Sequence, residues 1–167
     1  MIKIFYEGIN TREQIFSCKE PTFDVKNIVK EIIDNVIANG DKALKEYALK
    51  FDKVNLDSLE VSAKEIDEAV NSVDPKFIDV LTKAKQNIWD FHINQKRQGF
   101  ELKKQNGVIL GQKIIPIERV GLYVPGGTAS YPSTVLMDSI PAKIAGSKQI
   151  VMVTPPDKNG NVNPVIL

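Results

Sequence analysis

Cysteine and histidine are almost absent from this 167-residue chain, Cys18 and His92 being the only examples of each. A lone cysteine excludes an internal disulfide, and one Cys with one distant His falls short of the several such ligands that transition-metal sites draw on. Neither sign of charge dominates. The 22 Lys and Arg against 21 Asp and Glu leave a net charge of +1, without the basic field that supplies non-specific affinity for nucleic acid, so no nucleic-acid partner is expected. No apolar run approaches the roughly 20 residues that span a bilayer, so no membrane partner is expected either. The start, MIKIFYEG, lacks a basic segment followed by a long apolar stretch. With the single cysteine, this argues for a reduced, cytoplasmic setting. Internal repeats and low-complexity tracts are also missing. What is present is a 43% hydrophobic content, enough to bury a core.

Ile2, Ile4 and Tyr6 alternate as in a short strand, and Pro21 breaks whatever precedes the first helix. Val25, Ile28, Val29, Ile32, Ile33, Val36 and Ile37 then recur at three and four spacing, predicting an amphipathic helix with Asp24 as N-cap and Gly40 as its stop. Asp41 caps a second helix through about Phe51, with Leu44, Tyr47, Ala48 and Phe51 inward. The short Asn39-Gly40 link makes the two helices a packed pair. After a loop over Asp52 to Leu59, Ser62-Ala-Lys-Glu65 reads as a capping box for a helix to about Ser72. Asp74-Pro75 opens a fourth helix carrying Ile78, Leu81, Ala84, Ile88 and Phe91, roughly two dozen residues long if it runs unbroken to Gly99. Asn106-Gly107, between strand-like runs over 100–105 and 108–115, predicts a β-hairpin.

The stretch Arg119-Val-Gly-Leu-Tyr-Val-Pro-Gly-Gly-Thr128 changes the pattern. Val120 to Val124 is a short buried-strand run ended by Pro125, Gly126 and Gly127; Ser133 to Gly146 has a Ser/Thr start, a Gly stop and Val135, Leu136, Ile140 and Ile144 near one face. Lys148 to Thr154 is a second apolar strand, closed by Pro155-Pro156. Strand, Gly-rich turn, helix and strand make a βαβ unit whose first turn can face an anion. The expected class is α/β: a helix-rich part with a hairpin over residues 1–117, then the opening βαβ unit of a Rossmann-like domain over 118–167, with the boundary at about 116–119.

The Pro-Gly-Gly loop is not the G-x-G-x-x-G fingerprint, because its glycines are adjacent. It reads either as a tight turn or as a loop to which a cofactor comes close, and Tyr123 either as a core residue or as a flat ring for stacking with a hydroxyl to bond. His92 has no acidic partner at a defensible spacing and reads as structural or solvent-facing. Trp89 reads as packing, and Lys26, Lys30, Glu31 and Asp34 as a solvated face. No catalytic set emerges from these residues. Asn163-Pro164 opens a helix with only Val165, Ile166 and Leu167 behind it, too few to propagate one, so the fold is expected to be truncated.

Arg119 to Thr128, Ser133-Thr-Val-Leu-Met137, Pro141 to Gly146 and Val153 to Pro156 together resemble the histidinol dehydrogenase family. Gly40 to Tyr47, Lys50-Phe-Asp52, Asn87-Ile88, Phe91-His92 and Gln95-Lys96 are similar to it in the same order. The resemblance runs from about residue 24 to the end. It implies an enzyme that oxidises L-histidinol to L-histidine through an aldehyde in two hydride transfers, using NAD and zinc, and that is a homodimer when complete. It also implies that the zinc ligands and the Glu-His acid-base pair lie beyond Leu167, so this chain should hold no catalytic or metal-binding residue and be inactive alone. Tyr123 carries over as an NAD contact, with Pro125, Gly126, Gly127 and Thr128 lining the same loop. A related dehydrogenase acting on another polar alcohol, or a natural non-catalytic assembly module, remains open on these residues.

Overall fold

A computed structural model describes residues 4–16, 25–126 and 130–167, and the chain divides into two compact units, 1–40 and 41–167. In the first unit, α1 (Arg12–Phe16) was not expected from the sequence. Its signal was nonetheless there, because Thr11 and Gln14 form a reciprocal cap: the Gln14 N–H donates to the Thr11 hydroxyl and the Thr11 N–H to the Gln14 side chain, at 3.3 and 3.0 Å. Ile4 to Tyr6 form no strand; the Tyr6 carbonyl instead accepts from Ile9 and Asn10 in a turn. Helix α2 (Lys26–Asn39) ends at Gly40 as expected. Ile2, Cys18, Pro21 and the expected cap Asp24 lie outside the described residues.

The second unit begins with α3 (Asp41–Tyr47), which passes into a π-helical turn over Ala48–Asp52 closed by Lys53 in the left-handed region. The expected inward face is only partly correct, and the wider turn shifts the side-chain spacing at Phe51. Ala43 and Ala48 are buried, Leu44 and Phe51 are exposed, and the Phe51 ring stacks on Tyr47 at 5.6 Å. The expected pairing of the first two helices falls across the two units. Helix α4 (Ala63–Ser72) has its capping box, and α5 (Pro75–His92) has its Asp74 cap and N1 proline. Helix α5 is 18 residues long, shorter than expected, because the chain tightens into a 3₁₀ turn over Ile93–Gln95. Phe91 points outward, while Trp89 and His92 are half-buried.

Strands β1 (Phe100–Lys103) and β2 (Ile109–Gln112) pair antiparallel, Phe100 opposite Gln112. The turn is not the two-residue form that Asn-Gly favours. Gly107 N–H donates to the Lys104 carbonyl, Lys104 N–H to the Val108 carbonyl, and of the two turn residues Gly107 alone has a positive φ, of 81°. This is a three-residue loop with a glycine bulge. Strands β3 (Arg119–Tyr123) and β4 (Gln149–Val153) pair in parallel, Arg119 opposite Gln149 and Tyr123 opposite Val153. Between them runs α6 (Pro132–Ala145), opened by a proline and closed by Gly146 in the left-handed region. Helix α6 packs on both strands and on α5. The fold is α/β. The architectural boundary expected at about 116–119 falls inside the second unit, where the α5–α6 contact joins residues from either side of it. Its buried apolar residues, among those described, are Ala43, Ala48, Val54, Ala69, Val124, Ile140, Ile144 and Ile166.

A candidate cofactor cleft at the strand ends

Parallel sheets offer ligands the crevice beyond the carboxyl ends of their strands. Here the segments leaving β3 and β4 border a cleft of about 460 Å³, lined by Pro125, Gly126 and Ser130 on one side and by Thr154 to Lys158 on the other. Asp52, Asn163 and Ile166 complete its wall. Val124 extends the ladder by donating its N–H to the Val153 carbonyl at 2.9 Å and is fully buried, which anchors the loop that follows. At Gly126 a Cβ would lie 3.2 Å from Pro155, a tight contact that the neighbouring loop would have to yield to by a few tenths of an ångström. The Asn163 side chain spans the cleft's end: its oxygen caps the Val165 N–H at 3.0 Å and its amide nitrogen donates to the Ser130 hydroxyl. Residues Pro164 to Ile166 form a single turn, and Ile166 is buried.

Of the residues expected in a cofactor site, the structure places Pro125 and Gly126 in this cleft; Gly127 and Thr128 lie outside the described residues. Tyr123 is not in the cleft wall. It sits two residues earlier on the open face of the sheet, 63% exposed in this chain. Asp52, Ser130, Lys158 and Asn163 were missed as lining residues, since only the folded chain brings 52 and 163 beside 125. Pro125, Pro155, Pro156 and Ile166 supply apolar walls; the Ser130 and Thr154 hydroxyls, the Asn163 amide, the Asp52 and Asp157 carboxylates and the Lys158 ammonium supply polar contacts. That mixture of apolar walls and a few polar groups is the make-up of a small-molecule cleft.

The same residues do not fit zinc. Among the described residues, no three His, Cys, Asp or Glu come together as a metal site. His92 faces Gln95, 2.7 Å from its side-chain oxygen, and not a carboxylate. No described helix is long and apolar enough to cross a membrane.

The histidinol dehydrogenase family profile matches residues 17–167. The chain belongs to the histidinol dehydrogenase family. It is 53% identical to the histidinol dehydrogenase of Lactiplantibacillus plantarum over 99% of this chain and 39% of that one. It is 46% identical to that of Clostridium acetobutylicum over 100% of this chain and 40% of that one. The crystal structure of histidinol dehydrogenase from Elizabethkingia anophelis superposes with a TM-score of 0.82 at 41% identity, over 88% of this chain and 34% of that one. The chain thus spans about two-fifths of the length of these curated relatives.

Proposed function

We propose that this chain is the portion of a histidinol dehydrogenase that brings one wall of the NAD site, and that the complete enzyme is a cytoplasmic homodimer. The complete enzyme oxidises L-histidinol through histidinal to L-histidine, the last step of histidine biosynthesis. NAD, when bound, supplies the hydride acceptor. The chain's own part is to position: Tyr123 offers a ring face and a hydroxyl, while the Pro125-Gly126 loop sets how closely the ligand approaches the backbone. Zinc and the acid-base groups belong, on this reading, to residues outside this chain, which by itself is inactive and binds NAD weakly or undetectably. The supporting observation is the cleft at the carboxyl ends of β3 and β4 with an exposed Tyr123 just before it.

Mixing the isolated chain with histidinol, NAD and zinc is expected to yield no NADH, and a measurable rate would overturn the inactivity. Micromolar NAD binding by calorimetry, abolished in Tyr123→Ala, would overturn the expected weakness. Joined to the remaining part of the L. plantarum sequence, the chain is expected to regain histidinol oxidation. In that fusion Tyr123→Ala is expected to raise KM for NAD by about tenfold or more. Oxidation of another amino alcohol in preference to histidinol would support a related dehydrogenase instead.

A further inference from the structure

The Asn163 side chain makes two hydrogen bonds, and together they fix which way its amide faces. Its oxygen accepts from the Val165 N–H at 3.0 Å, which leaves its nitrogen to meet the Ser130 hydroxyl. An amide nitrogen only donates, so the Ser130 oxygen accepts. A hydroxyl that accepts from one neighbour still carries its own proton, which is available to a different acceptor. Ser130 lies in the cleft wall, on the same side as Pro125 and Gly126. Asn163 is the fixed member of the pair. The turn before it is closed from within: the Asp157 carboxylate accepts from the Asn159 and Asn161 N–H groups at 2.8 and 2.9 Å, and the Asp157 N–H donates to the Asn161 carbonyl at 2.8 Å. After it, the Asn163 carbonyl accepts from the Ile166 N–H at 2.9 Å, and Ile166 is buried.

We propose, on the functional reading above, that Ser130 is a further ligand-binding residue and Asn163 the positioning residue that aims it. Ser130 donates its hydroxyl proton to a phosphate or ribose oxygen of the dinucleotide, and the bond from Asn163 sets that direction. A dinucleotide is rich in oxygen acceptors and needs donors from the protein. Among the side chains that line the cleft, those able to donate are Ser130, Thr154, Lys158 and Asn163. Asn163 is already engaged on both of its polar atoms, so it acts through Ser130. Reversing the bond between them would turn the Ser130 proton towards residue 163 and leave the ligand oxygen facing a lone pair.

The test uses the fusion with the L. plantarum remainder, with Kd for NAD read by calorimetry in the absence of histidinol, and KM and kcat read in its presence. Ser130→Ala removes the donor and is expected to raise Kd and KM for NAD about three- to tenfold, with kcat at saturating NAD held within about twofold. Ser130→Thr keeps a hydroxyl and should stay near wild type. Asn163→Asp is nearly isosteric and can still cap Val165, but its carboxylate accepts where the amide donated, which draws the Ser130 proton out of the cleft. It should match Ser130→Ala, and in the double variant the two effects should not add, since both remove the same donor. An Asn163→Asp effect that persists in full in the Ser130→Ala background would overturn the positioning role in favour of charge repulsion. Unchanged NAD affinity in Ser130→Ala, with Tyr123→Ala weakening it, would overturn the ligand contact and leave the functional reading standing. Unchanged affinity in all of these variants, Tyr123→Ala included, would overturn both.

Discussion

The antiparallel hairpin β1–β2 and the parallel pair β3–β4 are both two-stranded, yet every residue of the hairpin's strands is exposed, whereas the parallel pair turns one face onto α6. Their mid-strand glycines differ in the same sense. A Cβ at Gly111 would lie 2.5 Å from the Phe100 carbonyl oxygen, so the hairpin's own backbone needs that glycine; at Gly121 there is open space. The hairpin is closed by local geometry, a turn and a close backbone approach. The parallel pair cannot be closed locally, because its strands need a long crossover, and its stability lies in the helix packed against it. For that reason the candidate site grows from the parallel pair.

The largest test of this contrast removes packing. Ile144, buried in α6, is expected to cost about 2–5 kcal/mol when changed to Ala, whereas Leu110→Ala in the exposed hairpin should stay within about 0.5 kcal/mol. Chemical denaturation of the two variants measures both, and equal losses would break the comparison. Gly111→Val comes next. The clash with Phe100 should cost about 1–3 kcal/mol and be confined to the hairpin, seen as lost amide protection over 100–112 with α6 unchanged. Loss of protection in α6 as well would show that the hairpin supports the packed layer.

What was legible in the sequence follows the same division. Local signals were read correctly where a residue acts on its own backbone: the Ser62–Glu65 box, the Asp74-Pro75 start, the Gly40 and Gly146 stops. The βαβ unit was legible because its apolar runs are separated by strong breakers. Burial was less so. Leu44 and Phe51 were placed inward on an α-helical period, and the π turn at Ala48–Asp52, which no residue type announces, left Phe51 outside. The hairpin was found, while its loop type was not read; Asn106 does not adopt the positive φ that a two-residue turn demands. Of the candidate site, the Pro125-Gly126 loop could be read directly. Its opposite wall could not, because Asp52, Lys158 and Asn163 reach the cleft through tertiary packing.

A smaller effect probes the local side of the comparison at α4. Ser62 N–H and hydroxyl both donate to the Glu65 carboxylate, at 2.8 and 2.7 Å, and the Glu65 N–H donates back to the hydroxyl at 3.3 Å. The backbone bond first, and the hydroxyl second, hold the Glu65 carboxyl below its ordinary value of 4.5. A lowered folded value means that the stabilisation is fully present above the unfolded value and is lost as the pH falls through the folded one. Ser62→Ala removes the capping hydroxyl but keeps the backbone bond, and loss of such a cap should cost about 1 kcal/mol near neutrality. The gap from wild type should narrow as the pH drops below 4.5. Thermal melts across that range decide it, and a gap that widens in acid would refute the assignment.

The smallest expected effect lies at the other end of the parallel pair. The Lys148 ammonium is 3.2 Å from the Glu118 carboxylate, where β3 and β4 begin, but both side chains are more than three-quarters exposed, at 79% and 76%. Water screens such a pair, and holding two long side chains together costs entropy that offsets most of the attraction. The strand starts are tied more directly by backbone: the N–H groups of Lys148 and Gln149 both donate to the Glu118 carbonyl, at 2.9 and 3.1 Å, and neither bond depends on the side chain. Lys148→Ala should then change stability by no more than about 0.5 kcal/mol, and that difference should vanish in about 1 M salt. A loss above about 1 kcal/mol that survives salt would mean that charge as well as helix packing closes the parallel pair.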